Sequence, residues 1–296
     1  MRFPPQALAV PFVTLACAAA WSAGLGAHGA SGTFTASKMG TIAIEHGVAY
    51  LVRDQRDARV NQIEILLTDV AIDVKTLQTA FDPHMAAINL DQLDDRDYVL
   101  LWVKDDGTVG MNATYAKTMT QFLDDSDGGL AVTWTTRSAT KLAGRLASKG
   151  TLKSLDGSSY SVNITFDVDV PPAPAGTALP TGGGEPGEAL RALLAAADKK
   201  DWNGISAGSS PEALKTFDRS YNTPAENAEG AADLLKAWMS TEKLEIAGGL
   251  LESDAVAVLD VIGELFPGQR ALTRVRMIKS GSRWQFDKAA RAGMIP

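Results

Sequence analysis

Residues 171–187 constrain this chain more than any other stretch. Pro171, Pro172, Pro174 and Pro180 keep the first part extended, and Gly182-Gly183-Gly184 favours neither helix nor strand. Apolar residues recur with a period of two before this segment and with a period near 3.6 after it. The change predicts a Pro/Gly linker at 171–187 between a β-rich domain at 35–170 and a second domain at 188–292. Two cores suit the 296 residues, because single cores usually span ~100–200 residues. The glycine run follows a linker rather than a strand and lacks the lysine of a phosphate loop, so it reads as a hinge.

Before the linker, strands alternate with turn residues. Thr41–Glu45 and Val48–Val52 flank His46-Gly47 as a hairpin-like pair. Gln62–Leu67, Tyr98–Val103 and Thr108–Tyr115 follow, the last two joined by the tight-turn sequence Asp105-Asp106-Gly107. Leu130–Thr135, Lys141–Ala147 and Tyr160–Val170 complete eight short strands. In the final run Val162, Ile164, Phe166, Val168 and Val170 occupy one face. The pattern predicts an all-β sandwich or open barrel, with one helical interruption at Val74–Phe81.

After the linker, Leu190, Leu193, Leu194 and Ala197 form the stripe of an amphipathic helix over Glu188–Lys200, ending at Asp201-Trp202-Asn203-Gly204. Ser210-Pro211-Glu212 starts a second helix with Ser as N-cap. Thr223-Pro224-Ala225-Glu226 is a capping box before a third, striped by Ala231, Leu234, Leu235 and Trp238. Lys243–Ala247, Ala255–Gly263, Ala271–Lys279 and Arg283–Asp287 read as strands whose short connections predict an antiparallel meander. Three helices and a meander, with Pro186–Trp202 at the start and Met277–Phe286 at the end, resemble the cone-shaped α+β family of ketosteroid isomerase, scytalone dehydratase and nuclear transport factor two. The resemblance covers residues ~186–290, about a third of the chain. It implies a C-terminal α+β cone and no particular activity, since this fold hosts enzymes and binding modules alike.

The N-terminus reads as a signal peptide over residues 1–30. Arg2 precedes the apolar run Ala7–Ala16, and small residues follow through Ala30. Ser22, Gly24 and Gly26 interrupt the run before the ~20 residues that a membrane span needs. Cys17 is the only cysteine, so the mature body has no internal disulfide, thiol nucleophile or Cys-based zinc site. Thr14-Leu15-Ala16-Cys17 loosely resembles a lipobox. Cleavage near Ala27 or Ala30 is the expectation, and a lipoprotein acylated at Cys17 the alternative, the one route to a membrane.

The formal charge of −7 includes no basic stretch able to match a run of phosphates, which argues against nucleic acid. His28 lies by the signal, leaving His46 and His84 in the body, neither in a metal-ligand spacing. His46 reads as a turn residue and Asp82-Pro83-His84 as a loop. Asp91, Asp94, Asp95 and Asp97 form one acidic cluster. Asp124, Asp125 and Asp127 form another before Gly128-Gly129, the candidates for calcium, although the EF-hand template is missed. Both read first as solvated loops. No metal and no cofactor is expected.

Chemistry of the ketosteroid-isomerase type needs a carboxylate base and a Tyr or protonated Asp donor within the cone. Tyr221, the only tyrosine after the linker, and Asp260, an acid inside an apolar strand, are the catalytic candidates. The plainer reading turns Asp260 and Glu245 outward to meet Arg274 and Arg276 in cross-strand pairs, while Leu259, Val261, Val275, Met277, Trp284 and Phe286 face the helices. Val256, Val258 and Ile262 would then form an apolar strip. That strip is expected to be covered by the N-terminal domain or by a second copy, as a homodimer through the C-terminal sheet. The sequence as a whole predicts an exported, periplasmic or extracellular, non-catalytic binding or interaction protein. The alternative is a small-molecule-binding or lyase/isomerase-type enzyme using the cone.

Overall fold

The computed structural model describes residues 29–37, 40–93, 96–104, 109–115, 119–123, 129–154, 157–218, 222–239 and 243–296. The signal segment through residue 28 with Cys17, the turn at Asp105-Asp106-Gly107, the acids Asp94, Asp95, Asp124, Asp125 and Asp127, and Tyr221 lie outside the described residues. The chain is mostly β, with three antiparallel sheets and few helices.

The first part contributes β1 (Ala30–Ala36), β2 (Gly40–Ile44), β3 (His46–Arg53), β4 (Asn61–Thr68), β5 (Tyr98–Lys104) and β6 (Val109–Tyr115). It continues with β7 (Met119–Leu123), β8 (Leu130–Arg137), β9 (Lys141–Ser148), β10 (Leu152–Lys153) and β11 (Ser159–Asp169). One sheet runs β2-β1-β11-β9-β8 with β10 beside β11, and the other runs β3-β4-β5-β6-β7. They share one core, in which Phe34, Ile164 and Phe166 of the first sheet meet Ile65, Leu67 and Leu101 of the second. The alternation of β11 is visible in its burial, every second residue from Tyr160 to Val168 being buried. Each such Val, Ile or Phe contributes ~1.5–3 kcal/mol on leaving water.

The hairpin expected around His46-Gly47 does not form. β2 pairs with β1 and β3 pairs with β4, so the chain crosses between sheets at Glu45. The reason is steric and apolar together: Gly47 is buried against Gly29 and Val168, while Ile44 and Ala49 both enter the shared core. α1 (Val74–Gln78) appears within the expected helical interruption, capped by Asp73, whose carboxylate accepts from the Lys75 and Thr76 amides. The stretch read as a loop at Asp82-Pro83-His84 instead opens a second short helix, α2 (Pro83–Ile88). Asp82 caps it by accepting from the Met85 amide at 3.0 Å, and Pro83 suits the first turn because no partner is needed there. Both helices cover the outer face of the second sheet, packing Leu77 and Ala87 on Val48, Tyr50, Leu66 and Leu100.

The second part starts earlier than periodicity suggests. Within the expected linker, β12 (Thr177–Leu179) pairs with β13, and α3 (Gly184–Asp198) begins on the glycine run. Gly182, Gly183 and Gly184 all have positive φ, and a Cβ on Gly183 would stand 2.7 Å from Leu259 Cδ2. This is a tight, packed turn rather than a hinge. α4 (Trp202–Ala207) occupies residues read as a helix end, and α5 (Pro211–Phe217) and α6 (Pro224–Met239) follow. The expected caps are present: Ser210 Oγ accepts from the Ala213 amide at 3.0 Å, and Glu226 accepts from the Thr223 amide at 2.7 Å. β13 (Glu245–Ser253), β14 (Val256–Phe266), β15 (Gln269–Ser280) and β16 (Arg283–Ile295) form an antiparallel meander with β12 at its edge. Leu259, Val261, Val275, Met277, Trp284 and Phe286 all pack under the helices. Within that interior the rings of Phe217, Trp238 and Phe286 lie mutually 5.8–6.0 Å apart.

Candidate functional site

The face of the C-terminal sheet turned away from its helices looks onto the N-terminal part. Between them lies a cavity of about 740 Å³, closed on one side by Pro171–Pro174. The seam is fastened by two backbone hydrogen bonds. The Met294 amide donates to the Gln55 carbonyl and the Ala58 amide donates to the Met294 carbonyl, each at 2.8 Å. Asp54 shapes the loop that reaches across. It is 5% exposed, holds Lys104 Nζ at 2.6 Å and accepts from the Arg56 amide at 2.8 Å. Burial opposes its ionisation, but these donors outweigh burial and leave its pKa lowered. Gly293 permits the contact, since a Cβ there would lie 2.6 Å from the Asp54 carbonyl oxygen.

On the N-terminal wall, β4 carries Glu64 between Tyr50 and Trp102 in register, and the side chain is almost wholly buried. An uncompensated carboxylate there would be costly. α2 supplies the compensation: His84 Nδ1 stands 2.8 Å from Glu64 Oε2, and Gln62 Nε2 donates to Oε1 at 3.4 Å. The hydrogen bond and charge of Glu64 raise the His84 pKa against the opposing effect of burial. With Nδ1–H committed to Glu64, Nε2 is the ring atom left for chemistry, and Gln55 Nε2 lies 3.4 Å from it. The phenol of Tyr50 is buried beside this pair and its oxygen has no hydrogen bond of good geometry. Burial, then the nearby Glu64 charge, push its pKa well above the ordinary value, so it stays neutral.

The C-terminal wall presents Leu250, Val258, Asp260 and Arg274. Asp260 and Arg274 are opposite in register on β14 and β15. The Arg274 guanidinium lies over the Phe81 ring at 5.6 Å to its centroid. Burial lowers its pKa, the Asp260 charge pulls the other way, and the charge of Arg53 adds to the lowering. Among the described residues, neither the Arg53 nor the Arg274 side chain has an ion-pair or hydrogen-bond partner.

Asp260 therefore lies outside the helix-covered interior and on the wall of this cavity. The outward turn of its face matches the plainer sequence expectation, with two corrections. Glu245 meets Arg270 at 2.8 Å rather than Arg274 or Arg276, because β13 and β15 both flank β14 and their ends lie together. Arg276 lies 3.8 Å from Asp287, drawn there by a bulge between Arg276 and Met277. The other catalytic candidate, Tyr221, and the calcium candidates Asp124, Asp125 and Asp127 lie outside the described residues. His46 sits at the start of β3, opposite Thr68 and away from the cavity. Among the described residues no three His, Cys, Asp or Glu side chains gather to hold a metal.

Glu64, His84, Phe81 and Arg274 were not assembled by sequence reasoning. A signal was present for Glu64, which interrupts the apolar run Ile63-Glu64-Ile65-Leu66-Leu67 as Asp260 interrupts β14. No family model and no curated protein matches the sequence.

Proposed function

We propose that this chain is an exported, non-catalytic small-molecule-binding protein whose ligand occupies the cavity between the N-terminal sheets and the outer face of the C-terminal sheet. The observation that carries this reading is the cavity itself. Its size suits a small ligand, its walls are largely apolar, and a few ionisable groups converge on it. The helices of the C-terminal part cover one face of the meander. Leu259, Val261, Val275 and Phe286 are buried on that side, and Asp260 lies on the opposite face of β14. A lyase or isomerase site beneath the helices could not use Asp260 as its base, which weighs against that form of the enzymatic alternative. Arg2 followed by the apolar stretch Ala7–Ala16 supports export, and sequencing of the secreted protein should start between residues 17 and 31.

The test of binding uses the full mature chain. Native mass spectrometry and thermal-shift screening against small organic molecules should find compounds that raise the melting temperature. Ala290→Trp, which fills the cavity from β16, should abolish those shifts while circular dichroism is unchanged. Ligands that bind Ala290→Trp undiminished would place the site elsewhere and end the proposal. A second reading, proton transfer in the same cavity, is favoured by one arrangement: a buried carboxylate orienting an imidazole is the geometry of a general base.

A further inference from the structure

We infer that the cavity is an organic-anion site, in which Arg53 and Arg274 together hold a carboxylate or phosphate group. The inference rests on the binding reading above and specifies its ligand. Arg53, from the end of β3, and Arg274, from the middle of β15, line one cavity from opposite walls. Two cations in one partly buried space, neither in an ion pair among the described residues, repel each other and forgo hydration, an arrangement that an anion between them relieves. The Arg274 guanidinium lies over Phe81, 5.6 Å from the ring centroid, a contact that uses none of its N–H donors.

Among the described residues the nearby carboxylates form no ion pair with either arginine; Glu252 and Asp82 act on Arg274 through their charge alone. Asp82 caps α2, Glu64 is engaged by His84, and Asp54 is engaged by Lys104. Asp260 is the nearest competitor and contributes an attractive charge, but it stands beyond ion-pair distance of Arg274. Leu51, Leu250, Val258 and Pro172 contribute apolar wall beside the arginines. The matching ligand is a small amphipathic acid, with its charge at the arginines and its carbon body on these side chains.

Isothermal titration of the full mature chain with octanoate, phenyl phosphate and the uncharged octanamide tests this. One or both anions should bind and octanamide should not, the preferred anion distinguishing carboxylate from phosphate. Arg274→Met and Arg53→Met, each checked for fold by circular dichroism, should weaken the preferred anion by about tenfold or more. Equal binding of octanamide and octanoate, or undiminished binding by both arginine variants, overturns the anion assignment while leaving the cavity as a binding site. Failure of all three probes overturns the anion assignment. Failure also of the wider screen, with Ala290→Trp indistinguishable from wild type, overturns the binding reading beneath it.

Discussion

His84 Nδ1 lies 2.8 Å from Oε2 of Glu64, a carboxylate almost wholly withdrawn from water. The two residues stand 20 positions apart, one on a central strand and one in the first turn of a short helix. The pair couples the packing of α2 to the charge state of the imidazole.

Because the folded-state pKa of His84 is raised, its contribution to stability is complete below about pH 6.5, the value for a free imidazole. That contribution is lost as the pH rises through the raised folded value. Urea denaturation at a series of pH values should show wild type losing on the order of 1 kcal/mol across this window relative to His84→Gln. A wild-type profile parallel to that of His84→Gln would mean that the imidazole is not charged by Glu64.

Tyr50 predicts a second, alkaline loss. Its phenol is kept neutral in the fold by burial first and by the Glu64 charge second, while the unfolded chain ionises near 10.0. Stability attributable to the phenol is therefore present below that value and lost as the pH climbs above it. Tyr50→Phe should unfold at higher pH than wild type in a base titration followed by circular dichroism. Coincident transitions would show that the phenol is not what fails in base.

The two faces of β14 should respond differently to the same insult. Leu259 is fully buried beneath the helices, and Leu259→Asp should cost ~3 kcal/mol or more and unfold the C-terminal core. Val258 is also buried, at 3% exposure, but it borders the cavity and shares its wall with Arg274. Val258→Asp should leave the helical signal in place and cost less, with a guanidinium and water near the new carboxylate. The reverse ranking in urea titrations would invert the assignment of faces.

Gly293 should be far less replaceable than Gly230. At Gly293 φ is +148° and a Cβ would press on the Asp54 carbonyl and Gln55, where the C-terminal sheet meets the N-terminal loop. Gly293→Val should destabilise by ~1–3 kcal/mol and speed proteolysis within 171–176 by loosening the seam. Gly230 lies within α6 with open space around it, so Gly230→Ala should stabilise by ~0.5–1 kcal/mol. Equal tolerance at both positions would show that the seam does not form in solution.

Local chemistry by itself determined a good deal of this protein. The period-two alternation of β11, the Ser210 cap, the Thr223–Glu226 capping box and the meander after α6 are all legible residue by residue. So is the outward turn of Asp260, since a strand must place alternate residues on opposite faces. Each of these is a short-range property, set by the backbone and its nearest neighbours.

Tertiary structure alone decided the rest. His46-Gly47 carries turn chemistry, yet the chain changes sheets there because Ile44 and Ala49 are drawn into one core by strands far away in sequence. The sequence around Gly182 looks flexible, but packing against Leu259 and Ile246 holds it in a single turn. Glu64, an acid in an apolar strand, becomes intelligible once α2 brings His84 to it. The cavity lies where the 54–58 loop is hydrogen-bonded to β16 across more than two hundred residues of chain. Periodicity records which side of an element is apolar; it does not record which other element covers that side, and the site lies where two such coverings meet.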